Sequence, residues 1–178
     1  MERKLETILN NIFCNINDWL KFAEQKNSTL IVLNAGLIWG VARILNNSVI
    51  DDSYFFVFIY IAYTLLIVST LICIYSFMPI LKNRWWLKKD KKDETDNIFY
   101  FGDIAKYNSI DYLILLQKKC DLKDYSVTNL EKDYSQQIVI NSKIALDKYN
   151  NFKVSSQLTT LGIIIFLLCC LSILIIKG

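Results

Sequence analysis

Residue types that do covalent chemistry are thin in this 178-residue chain. It contains no His, and it has no Gly-rich loop of the kind that cradles a phosphate. Ser/His and Cys/His pairs are therefore impossible, and no carboxylates pair at a spacing that fixes their geometry. Cys14, Cys73, Cys120, Cys169 and Cys170 lack C-x-x-C spacing and read as small apolar packing residues, not as metal ligands or a redox pair. The chain is read as a non-enzyme without metal or cofactor. The polar chemistry that remains is binding chemistry. Gln136, Gln137, Asn141, Ser142, Lys143 and Lys148 recur beside an apolar stripe and offer amides, a hydroxyl and ammonium groups to a polar ligand. The same residues suit a solvated helix face, and both readings stay open.

The elements that must position these groups follow from where the apolar residues lie. They make up 53% of the chain, and mean hydropathy is +0.29, too high for a disordered, disulfide-rich secreted or nucleic-acid-binding protein. A formal charge of +3 is too small an excess to imply a nucleic acid polymer as partner. Tyr54 to Leu81 is 28 residues without Asp, Glu, Lys or Arg, and Val154 to Ile176 is another 23. Each exceeds the roughly 20 residues that cross a bilayer as a helix. A third, weaker span covers Asn27 to Leu45, where Arg43 sits near the end and its head group can reach the interface. The first 26 residues carry eight charges and do not read as a cleavable signal. Lys82, Arg84, Lys88, Lys89, Lys91 and Lys92 follow the second span, whereas the loop before it carries Asp51 and Asp52. The positive-inside rule then places the N-terminus and residues 82–153 in the cytoplasm and the C-terminus outside.

Between the spans the periodicity is helical. Leu5, Ile8, Leu9, Ile12, Phe13, Ile16, Trp19, Leu20 and Ala23 form an amphipathic stripe, which either packs on the chain's own cytoplasmic helices or lies on the membrane surface. With no Gly or Pro before Asn34, that helix is free to run into the first span. Pro79 ends or kinks the second span. The run Ile98-Phe-Tyr-Phe-Gly-Asp103 is expected to be extended and buried, with Gly102 permitting a sharp turn. A helix from Ser109, capped by Asn108, should carry Ile110, Leu113, Ile114 and Leu116 inward. Thr128-Asn-Leu-Glu131 is a capping box, and the helix it opens meets no breaker before Gly162, so Asn129 to Ile176 can be one helix of 48 residues, about 72 Å long. Gly36 and Gly40 fit the small-xxx-small pattern of close helix packing, within the chain or between subunits, and Asn34 adds a hydrogen-bonding amide.

The fold class is thus an all-α integral membrane protein: three transmembrane helices, a small helical cytoplasmic region, and long helices extending from the membrane. Its expected segments are an amphipathic cytoplasmic helix (1–26), a transmembrane hairpin (27–81, spans about 28–45 and 54–79), a cytoplasmic helical region (82–153) and a third transmembrane helix (154–178).

Lys26, Asn34, Pro79, Asn97-Ile-Phe-Tyr-Phe-Gly102-Asp-Ile, Tyr112-Leu113, Gln137-Ile138, Ser142 and Lys148-Tyr149 occur in an order that resembles the transmembrane effector of the pyrimidine cyclase system for antiphage resistance, Pycsar. The resemblance covers roughly residues 20–176. It implies an effector of the bacterial inner membrane that answers a cyclic nucleotide second messenger, a cyclic pyrimidine mononucleotide made by a partner cyclase, by oligomerising or rearranging, disrupting the lipid bilayer and killing the infected cell. Phosphate would be met by Lys26, Lys82, Arg84 or Lys148 and by the amides of Asn34 and Gln137, and the base by Phe101, Tyr112 or Tyr149. Lys26 serves equally well as a positive-inside anchor. A non-signalling membrane scaffold and a constitutive small pore are the competing functions.

Overall fold

The computed structural model describes residues 2–46, 53–78, 91–93, 95–122 and 125–177. All its regular elements are helices: α1 (Glu2–Asn46), α2 (Ser53–Ser76), α3 (Phe101–Ile104), α4 (Ser109–Lys119) and α5 (Asn129–Lys177). Three of them, α1, α2 and α5, are long and apolar enough to cross a membrane, and the chain is a membrane protein. The uninterrupted pattern expected from both ends of the sequence is realised, α1 as one helix of 45 residues and α5 as one of 49.

The chain divides into two compact units, one formed by Met1–Glu24 with Pro79–Tyr149, the other by Gln25–Met78 with Asn150–Gly178. In the first unit the amphipathic stripe of α1 is a wall of the core. Leu5, Leu9, Ile12 and Ile16 are fully buried against Tyr112, Leu116, Ile138 and Ala145, so the stripe packs on the chain itself. Each such aliphatic side chain removed from water contributes about 1.5–3 kcal/mol. Both anticipated helix starts are present. Asn108 Oδ1 accepts from Asp111 N–H at 2.8 Å, and Thr128 and Glu131 form the reciprocal box, with Thr128 N–H donating to Glu131 Oε2 at 2.8 Å and Glu131 N–H to Thr128 Oγ1 at 3.3 Å. After α4, Asp121 takes the left-handed conformation (φ 56°) and Leu122 N–H donates to Gln117 O at 2.9 Å, which closes the helix end.

Two local expectations fail here. On α4, Tyr112, Leu113, Leu115 and Leu116 point inward, while Ile110 and Ile114 are 69% and 57% exposed. Tyr112 is the reason: its ring occupies the core and its hydroxyl donates to Ile98 O at 2.8 Å, which turns the face carrying both isoleucines outward. Residues 98–103 are not extended and are only partly buried. Asn97 Oδ1 accepts from Phe99 N–H at 2.8 Å and Asp103 Oδ2 accepts from Asn97 N–H at 3.0 Å. These bonds buckle the run into a turn and the short helix α3, leaving Phe99 and Tyr100 exposed and Phe101 buried.

In the second unit, Val41, Ile59, Leu66 and Cys169 form an apolar cluster with Leu37, Phe55 and Phe166 around it. A second contact set is polar. Asn34 Nδ2 donates to Ser69 Oγ at 3.0 Å, Thr159 Oγ1 donates to Asn34 Oδ1 at 2.9 Å, and Ser69 Oγ donates to Ser155 O at 2.8 Å. This knot joins α1, α2 and α5 through buried groups, which in an apolar medium have no water to turn to. A Cβ at Gly36 or Gly40 would meet nothing within 4 Å, so neither carries a close approach within the chain. Gly162 does, because a Cβ there would lie 3.3 Å from Ala62 O.

Candidate ligand-binding site

The first unit gathers aromatic rings around one end of its stretch of α5. Phe101 and Tyr149 are stacked, centroids 5.0 Å apart and planes 17° from parallel. Trp19 of α1 leans on both, at 5.5 Å from Phe101 and 6.0 Å from Tyr149, and Tyr100 lies 4.8 Å from Phe101. The inner pair is shielded, whereas Trp19 and Tyr100 are 37% and 45% exposed. Burial first, and then the neighbouring Tyr100, raise the pKa of the Tyr149 phenol. It stays neutral at physiological pH and is a hydrogen-bond donor.

Local sequence explains how these rings are held. The loop before α3 is braced by its own Asn97 and Asp103 and by Asn15 of α1, whose Nδ2 donates to Phe99 O at 3.0 Å. Gly102 has an ordinary helical backbone; what calls for glycine is the Tyr100 ring lying over it, since a Cβ would meet Tyr100 Cε1 at 2.5 Å. α1 and α5 are joined by Asn141 Nδ2 donating to Asn17 Oδ1 at 2.9 Å and by Lys148 Nζ paired with Glu24 Oε1 at 3.2 Å. The Lys148 side chain is only 9% exposed and that of Glu24 46%. Ser142, two turns before Tyr149 on the same face of α5, is fully buried, and its hydroxyl has no hydrogen-bond partner among the described residues.

Two of the anticipated ligand residues, Phe101 and Tyr149, are thus in contact, and a third, Lys148, adjoins Tyr149 in the chain. Gln137 is exposed on α5. Tyr112 is removed from the list by its position, because a fully buried ring whose hydroxyl is bonded to Ile98 O has no face for a base; burial raises its pKa strongly. Asn34 is described in the second unit, where its amide bonds Ser69 and Thr159. Lys26, in the second unit, sits 5.4 Å from the centroid of the Phe152 ring. Lys82 and Arg84 lie outside the described residues. Trp19, Tyr100 and Glu24 were not anticipated. The one Trp in the apolar stripe of α1 was the available signal for the first, and the run of adjacent aromatics before Gly102 for the second.

Other features offer less. A groove of about 400 Å³ on α2, lined by Val57, Tyr60, Ile61, Thr64 and Leu65, is apolar, and the Thr64 hydroxyl is spent on Tyr60 O. Among the described residues no cluster of Cys, Asp or Glu is arranged to hold a metal ion. Residues 8–176 match the family model described as the Pycsar effector protein domain. No curated protein and no solved structure matches the chain.

Proposed function

This chain belongs to the Pycsar effector protein family and is an antiphage defence effector, and from that premise we propose that it binds a cyclic pyrimidine mononucleotide in the first unit and responds by permeabilising the membrane. One observation carries the reading: a nearly buried ammonium, Lys148, adjoins in sequence a tyrosine stacked on Phe101, with Trp19 and Tyr100 partly open beside them. A cyclic nucleotide needs an anion partner for its phosphate and ring faces for its base, and these are the two groups assembled. The unsatisfied Ser142 hydroxyl and the Tyr149 phenol supply donors for ribose or base.

The protein works without catalysis. It sits in the bacterial inner membrane as a multi-pass protein, with N-terminus cytoplasmic and C-terminus outside, so that the first unit meets a messenger released by a partner cyclase. Ligand shifts an equilibrium only by its differential affinity for two states. Binding therefore favours a rearranged or oligomeric form of the spans, and loss of membrane integrity ends the infected cell before phage is released.

The test is dye release from liposomes carrying the purified chain, with cyclic CMP and cyclic UMP as probes. Release should require nucleotide and should be lost in Lys148→Ala, with insertion into the bilayer unchanged. Release without any nucleotide would make the protein a constitutive pore. Silence with both nucleotides, together with unchanged survival of expressing cells, would sink the messenger reading.

A further inference from the structure

We infer that the inward face of the three apolar helices is the permeation path of this protein: Asn34, Ser69 and Thr159 line a half that can hydrate, and Val41, Ile59 and Leu66 form the constriction that keeps it shut. What passes is small ions and polar solutes of either charge. The inference deepens the membrane-permeabilising reading above and rests on it.

Hydroxyl groups of the second unit fall into two sets. Thr29, Thr64, Thr160 and Ser172 are exposed, and each donates to the carbonyl four residues back in its own helix, at 2.8 or 2.9 Å. A hydroxyl spent in this way asks nothing of its surroundings, so the faces that carry it, with Leu33, Phe58 and Leu168 exposed beside it, suit lipid. The inward set bonds across helices instead. Asn34, Ser69 and Thr159 are buried and link α1, α2 and α5. Asn27 and Ser76, seven residues from Asn34 and Ser69 and so on the same helix faces, are buried too. Groups paired with one another in the shut form can exchange those partners for water at little net cost. This is the face that water can enter.

Two turns beyond Asn34 the lining changes. Val41 lies there, and Ile59, Leu66 and Cys169 cluster with it. Narrow apolar walls shed water, which is how a hydrophobic constriction gates a pore. One seam thus carries a polar vestibule at one end and an apolar gate at the other. Charge then decides what passes. Among the described residues of the second unit none that is buried carries a charge, whereas preference for one sign of ion is built from rings of charged side chains. Amides and hydroxyls offer acceptors to cations and donors to anions alike. Since Ile59 and Leu66 are packed shut here, conduction belongs to the ligand-bound form, in which the spans part along this seam.

The experiment is current through planar bilayers holding the full-length protein, with cyclic CMP and cyclic UMP as probes. A charged, water-soluble thiol reagent is added to single-cysteine variants whose native cysteines are replaced by Ala. With nucleotide, Ser69→Cys and Thr159→Cys should react at least about tenfold faster than without it, since a minor open form is populated at roughly 10% or less before ligand arrives, and the reaction should cut the current. Thr64→Cys and Thr160→Cys, on the lipid side, should stay inert, because the thiolate that reacts needs water. Leu66→Asn and Val41→Asn should conduct without nucleotide, and the wild-type current should reverse near zero voltage in a salt gradient. If nucleotide opens the membrane while Ser69→Cys and Thr159→Cys stay inert, the path lies elsewhere: the inference is overturned and permeabilisation stands. Reversal close to the equilibrium potential of one ion would overturn the class of permeant. If wild type is silent with both nucleotides, the messenger reading fails by itself, and the gate variants decide: current through Leu66→Asn or Val41→Asn, with Ser69→Cys reactive in the same chain, upholds the path, and silence of both overturns it.

Discussion

Asp96, on the loop before α3, shows how this small unit holds its polar residues. Burial would raise its pKa, but bonds from Lys106 at 2.7 Å, from Asp93 N–H at 2.9 Å and from the Tyr107 hydroxyl at 2.8 Å outweigh burial and hold the carboxyl below its ordinary value. Lys106 is raised by its bonds to Asp103 and Asp96, and burial and then Asp96 push Tyr107 up to about 12. The lowered carboxyl contributes stability that is complete above its unfolded value of about 3.9 and is lost as pH falls through the folded value. The raised lysine contributes stability that is complete below about 10.4 and is lost only at more alkaline pH. Stability of the first unit should therefore be flat across neutral pH and fall below about pH 4. Asp96→Asn should flatten that acid limb and cost about 1–3 kcal/mol at pH 7, since it weakens a buried network; thermal unfolding against pH measures both. Gly102 is a second residue whose role is local. Gly102→Ala should displace the Tyr100 ring without unfolding α3 and weaken nucleotide binding severalfold, as loss of one stacking face would. Unchanged binding with a displaced ring would take Tyr100 out of the site.

At the scale of elements, α5 is the part most suited to transmit a signal, because one unbroken helix carries Lys148 and Tyr149 and also the Thr159 and Gly162 contacts. A helix interrupted in its interior by Pro loses a hydrogen bond and clashes with the preceding turn, at a cost of about 3 kcal/mol. Gln157 is exposed, so replacing it removes no core contact, and the turn that a Pro there disturbs, residues 153–157, excludes Lys148 and Tyr149. Gln157→Pro should leave nucleotide binding within about twofold, a change of under 1 kcal/mol, and abolish nucleotide-dependent dye release. Normal release from that variant would show that continuity of α5 is not needed. The element also shows where helix-level reading is safe. Its capping box and its length could be anticipated because they depend on residues within one turn or on the absence of breakers, whereas the buried face of α4 depended on which side chain the core accepted.

For the molecule as a whole, orientation in the bilayer decides whether the proposed site faces the messenger. Six basic residues between 82 and 92 against two Asp in the preceding loop set that expectation. A reporter fused after Gly178 should be active on the outer side of the inner membrane. A cytoplasmic reporter there would contradict the three-span threading and put the first unit on the wrong side for the ligand. The polar knot of Asn34, Ser69 and Thr159 bears on the same scale, because it joins all three apolar helices of the second unit, and such bonds contribute about 0.6–1.7 kcal/mol each in lipid.

Span length, absence of charge and helix-start chemistry are local properties of consecutive residues, so the sequence by itself determined an all-helical membrane protein with three apolar helices, two of them long and continuous. The convergence of Phe101 and Tyr149 was open to suspicion only through resemblance. Tertiary structure alone decided that Trp19 leans on that stack and that Glu24 pairs with Lys148, although the two precede Tyr149 by 125 to 130 positions in the chain, and that Tyr112 and Asn34 spend their polar groups elsewhere. The physical reason is that helical periodicity says which residues share a face but not which other face they meet. A tyrosine or an asparagine serves a core as well as a site, and only its hydrogen-bond partner, Ile98 O for the one and Ser69 and Thr159 for the other, tells which it does.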